Sequence, residues 1–119
     1  MIIKRWQLVS LIILQAMFAA CASSVLVYNA FGWAPDVISF EWGSYRAFNI
    51  YISILIVAAL IWGLVARVPI IMPVIIVFAS FHLVEGLIIS FWSKAAIHLV
   101  TLIIAANIQI QIQIKQKAA

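Results

Sequence analysis

Apolar residues fill this chain in four long, nearly unbroken stretches rather than recurring at the intervals of an amphipathic helix or strand. The stretches cover residues 6–28, 46–66, 70–91 and 95–112. A helix rising 1.5 Å per residue needs roughly 20 apolar residues to cross about 30 Å of hydrocarbon. Each stretch is of that order. The connections after the second and third stretches are so short that consecutive helices must lie antiparallel. The pattern therefore predicts an all-α integral membrane protein: an antiparallel bundle of four transmembrane helices, with residues 1–119 forming a single transmembrane domain.

The one long connection, 29–45, carries Asp36, Glu41, Trp33, Phe40, Trp42 and Pro35. Proline suits the first turn of a helix, where its missing N–H is not needed. A short helix from Pro35 would put Ile38, Trp42 and Tyr45 on one side, the layout of a segment lying on a membrane surface. At the other extreme of the chain, Ile108 to Ile114 reads IQIQIQI. That alternation is typical of a half-buried strand. A lone strand in lipid would leave its backbone unpaired, so the expectation is that the fourth helix continues into the headgroups.

Composition strengthens the membrane reading. Of 119 residues, 68% are hydrophobic and 8% charged, whereas a soluble domain has about a quarter charged. The formal charge of +4 comes from Lys and Arg between and beyond the apolar stretches, not from a basic block, so no nucleic-acid partner is expected. Lys4, Arg5, Arg67, Lys115 and Lys117 fall on one side and Arg46 and Lys94 on the other. The positive-inside rule then places both termini in the cytoplasm and the 29–45 loop outside. The expected location is a prokaryotic cytoplasmic membrane.

Lys4-Arg5, an apolar stretch and Ala19-Ala20-Cys21-Ala22 together imitate an export signal with a lipoprotein-like cysteine. Phe18 suits that box poorly, and the apolar run continues past Cys21 to Tyr28. A retained span is the expectation. Cys21 is the only cysteine, so no internal disulfide can form.

Ionisable groups inside a span are costly, roughly 2.5–3.5 kcal/mol on insertion scales, and are functional candidates by default. Glu85 is the only acid in any stretch, and His82 precedes it by three residues on the same helical face. With the last turn placed at Ser93, helix rise puts Glu85 about 12 Å deep, His98 about 7–8 Å and His82 about 16 Å. Glu85 and His98 are then within reach of each other. The histidines are mismatched in height, which argues against a haem held between them. Asn49, Ser53, Cys21 and Thr101 fall in the same half of the membrane and complete a polar cluster on all four helices. Such residues either tie helices together or form a proton or cation site. His82, Glu85 and His98 are also chemically suited to zinc or copper, but their spacing matches no ligand motif, and no cofactor is expected. No phosphate loop, paired carboxylates or nucleophile–base set is present, so no enzymatic activity is expected.

Small residues at four-residue spacing let helices approach closely: Ala16, Ala20 and Ser24; Ala59 and Gly63; Gly86 and Ser90. With minimal loops, they point to a small accessory subunit of a larger membrane complex, with the bilayer and other membrane subunits as partners. The alternative is a small oligomeric proton- or cation-coupled transporter using Glu85. The length and layout resemble those of the small multidrug-resistance transporters, but their embedded glutamate lies in the first helix, and here that helix has none.

Overall fold

The computed structural model describes residues 3–36 and 38–118, and these form four α-helices with no strand among them. They are α1 (Arg5–Ala30), α2 (Tyr45–Val65), α3 (Ile71–Ile88) and α4 (Trp92–Ala118). All four are long and apolar enough to cross a membrane. Helices are the natural outcome for such runs, because each satisfies its backbone hydrogen bonds within one segment. α1 continues through Cys21 without a break. α4 takes in the whole Ile108–Ile114 tail.

The helices close a ring. α3 packs most extensively on α4, α1 on α2, and α1 also on α4, while α2 and α3 touch least. The interior is filled by Leu11, Phe18, Val57, Leu60, Leu64, Met72, Ile75, Phe78, Ala105 and Ile108. Large apolar side chains such as Trp62, Val77 and Ile88 point outward, at 68%, 70% and 77% exposure. In water this surface would aggregate; against lipid tails it is at home.

The first three helices end alike. The N–H groups of Trp33, Val68 and Phe91 reach back to the carbonyls of Tyr28, Gly63 and Gly86, and those of Gly32, Arg67 and Ser90 to Asn29, Leu64 and Leu87. This double closure needs a left-handed residue just past the helix, and φ is +71° at Gly32, +55° at Arg67 and +59° at Ser90. The last chain reversal thus centres on Ser90, not Ser93.

The 31–44 loop is built from turns, with no helix among its described residues; Val37 lies outside them. Ile38 and Ser39 both donate backbone N–H to the Pro35 carbonyl. Asn29 clips the loop to α1, donating to the carbonyls of Val25 and Ile38 and accepting from Phe40 N–H. Ser44 then caps α2 by accepting from Ala47 N–H. At the opposite, terminal end of the bundle, Gln7 donates to Asn107 and Arg67 to the Ile3 carbonyl.

Candidate functional site at the loop end

Placing the reversal at Ser90 resets the geometry of every polar group on α3 and α4. Glu85 stands five residues before Ser90, or about 7–8 Å by helix rise, shallower than the depth counted from Ser93. His82 and His98 stand eight residues before and after Ser90 and therefore at matching height. The mismatch expected between them disappears. Their rings stack, with centroids 5.1 Å apart and planes 22° from parallel. Face-to-face imidazoles at that separation leave no room for a porphyrin between them, so haem is disfavoured by contact instead of by distance.

Glu85 on α3 is held from two other helices. Asn49 on α2 donates to its Oε2 at 3.1 Å, and Lys94 in the first turn of α4 pairs with Oε1. His82 Nδ1 lies 3.6 Å from the same Oε1, beyond hydrogen-bond range. Lys94 can reach Glu85 because α3 and α4 are in very close contact below the turn. A methyl group on Gly86 would stand only 3.1 Å from the Ala95 backbone nitrogen. Charge-based reading of the sequence assigned Lys94 to topology alone and missed this pairing.

One turn deeper, Ser53 Oγ and His82 Nε2 are 3.2 Å apart. Phe18 on α1 packs edge-on against His98, with centroids 4.5 Å apart, and lies 5.0 Å from His82. Phe78 adds a second ring beneath both. Thr101 is fully buried and donates to the Ile97 carbonyl of its own helix. Cys21 is half-buried and faces the cavity, without a hydrogen-bonded role in the cluster.

A cavity of about 220 Å³ opens at this end and descends to Phe18, Ser53 and His82. Ile38, Tyr45, Arg46, Phe91 and Lys94 frame its mouth. Arg46 donates to the Ser39 carbonyl and so joins the loop to α2. Among the described residues, five buried atoms lack a hydrogen-bond partner: His82 Nδ1, both ring nitrogens of His98, and both amide atoms of Gln15. Each such atom costs about 1–3 kcal/mol when nothing bonds to it. Gln15 was not among the residues singled out from sequence, because an uncharged amide in a helix stands out less than an acid or a histidine.

Among the described residues, no three of His, Cys, Asp and Glu come together to hold a metal ion. The small-residue faces divide. Gly63 is buried against Ile71 and Gly86 against Ala95, so both serve contacts within the bundle. Ala16, Ala20 and Ser24 face outward, as does Ala59, while Ser90 lies in the left-handed turn.

No family model, curated protein or solved structure matches the chain.

Proposed function

We propose that this protein is a small accessory subunit of a larger membrane complex, an antiparallel bundle with both termini cytoplasmic and the 31–44 loop outside. The observation that carries this reading is the state of Glu85. Both of its oxygens are engaged, one by Lys94 and one by Asn49, so the carboxylate joins the ends of α2, α3 and α4. A carboxylate occupied in this way acts as a clamp between helices. The outward stripe of Ala16, Ala20 and Ser24 on α1 supplies a face for a partner helix. Ser24 donates its hydroxyl to the Ala20 carbonyl, so its own donor is satisfied within the helix. The Lys and Arg distribution supports the orientation.

Gentle detergent extraction of the tagged protein tests the reading. A discrete hetero-complex is expected, and Ala16→Leu with Ala20→Leu should release the partner while leaving the purified bundle helical. Recovery of a homo-oligomer alone would overturn it. That result would favour the second reading, a small proton- or cation-coupled transporter, which draws its support from the cavity reaching Glu85 and His82.

A further inference from the structure

The buried polar side chains lie in one file along the bundle. Ser53 and His82 form the floor of the loop-end cavity, and His98 stacks on His82. One helical turn further on lie Gln15, three residues before Phe18 on α1, and Thr101, three after His98 on α4. Gln7 follows, donating across to the exposed Asn107 on α4. Gln7 lines a second cavity of about 230 Å³, which opens at the terminal end among Lys4, Gln111 and Lys115. Gln7, Gln15, Ser53, His82, His98 and Thr101 are each at most 4% exposed. The file is interrupted once, between Gln15 and Gln7, by a fully buried apolar layer of Leu11, Met72, Ile75 and Ala105.

A bundle with this much aliphatic side chain could have filled its centre without polar atoms. Instead, the five unpartnered buried atoms among the described residues all fall in this file, on His82, His98 and Gln15. Such atoms are commonly bridged by internal water, which needs about 30 Å³ per molecule and two to four polar partners. The cavity beside His82 is large enough for several. A neutral imidazole accepts a proton at one nitrogen and releases one from the other, returning to neutrality as the opposite tautomer.

We propose that the file is a gated proton relay. Water in the loop-end cavity delivers a proton to His82, and the same ring releases one onward to His98 through a bridging water, because stacked rings cannot bond to each other directly. His98 passes a proton along water held by Gln15 and Thr101, and the Leu11 layer is the barrier that must be wetted before it reaches Gln7 and the terminal-end cavity. No charge other than the proton moves, and no bond except N–H and O–H is made or broken. The charged and titratable groups nearest the histidines are Glu85 on α3 and Lys94 on α4; α1 contributes Cys21 at the cavity wall, and α2 contributes Asn49 and Ser53 beside the histidines and Tyr45 and Arg46 at the cavity mouth. The relay does not depend on the subunit reading, which stands or falls on the recovered complex.

The test is proton flux into vesicles containing the purified full chain and a trapped pH-sensitive dye, with a potassium ionophore to clamp the potential. Wild-type flux should exceed that of protein-free vesicles. Leu11→Gln, which places an amide in the dry layer, should raise it by about tenfold, equivalent to about 1.4 kcal/mol off the barrier. His98→Gln should remove the flux in either background, since an amide keeps hydrogen bonding but does not titrate. Ala105→Ser serves as a second gate variant if Leu11→Gln loses its helical circular dichroism. Flux at the protein-free level in wild type and a folded gate variant would overturn the proposal, as would flux indifferent to His98→Gln.

Discussion

His82 and His98 lie face to face at the centre of the bundle, yet only one of them has a hydrogen-bond partner: Ser53 meets His82, and His98 has none. The two should therefore respond differently to replacement by leucine. His98→Leu removes two polar atoms that no protein group bonds, so it strands no partner and should change stability by no more than about 1 kcal/mol in either direction. His82→Leu strands the Ser53 hydroxyl and should cost about 1 kcal/mol. Thermal melts in one detergent give the comparison, and equal losses for both would contradict the assigned partners.

Glu85 and Lys94 should be coupled. Neither side chain is fully buried, at 25% and 12% exposure, so the pair belongs between the weak surface bridges and the costly buried ones. A double-mutant cycle with Glu85→Gln and Lys94→Gln should give about 1 kcal/mol. Glu85→Gln alone should still assemble, because the amide keeps a carbonyl for Asn49. Glu85→Leu should weaken assembly further, by about 1–2 kcal/mol, the size of a strong interhelical hydrogen bond. A Gln variant that assembles normally but is functionally dead would move the weight to the transporter reading.

Gly86 should tolerate no side chain beyond a methyl. Its Cβ position faces the Ala95 backbone, which cannot rotate away. Gly86→Val should push α4 off α3 and cost about 1–3 kcal/mol or more, lowering the melting temperature and separating Lys94 from Glu85.

Ser90 offers the opposite effect. It holds a left-handed φ of +59°, a conformation that costs an L-residue roughly 1–2 kcal/mol and glycine very little. Ser90→Gly should stabilise the bundle by up to about 1 kcal/mol, seen as a higher melting temperature. A loss of stability would mean that the serine makes a contact beyond its turn.

Topology is open to impermeant thiol labelling in intact cells, with Cys21 replaced by alanine. A cysteine at Asp36 should label and one at Lys117 should not. Labelling at Lys117 would overturn the orientation taken from the positive charges.

The four helices were legible because uninterrupted apolar runs can adopt little else in lipid. The reversal between α3 and α4 was harder to read, since Ile88, Ile89, Phe91 and Trp92 are as apolar as the helices they separate. Hydropathy does not register the left-handed Ser90 that breaks the run. From that three-residue displacement came both the mismatched histidines and the missed partnership of Lys94 with Glu85. Glu85, His82, His98, Asn49 and Ser53 were legible by type, whereas Lys94 and Gln15 were not, and the mutual geometry depended on one backbone angle that composition does not encode.

The helices also differ in length. α3 has 18 residues and α4 has 27, so they extend about 27 Å and 40 Å along their axes. A hydrocarbon core near 30 Å thick matches the first, and the second must lean or project. Acyl-chain length thus becomes a variable acting on the α3–α4 contact. Short-chain lipids would let α3 span without stretching its ends, whereas long chains would draw Glu85 and Lys94 below the headgroups and raise the cost of keeping both charged.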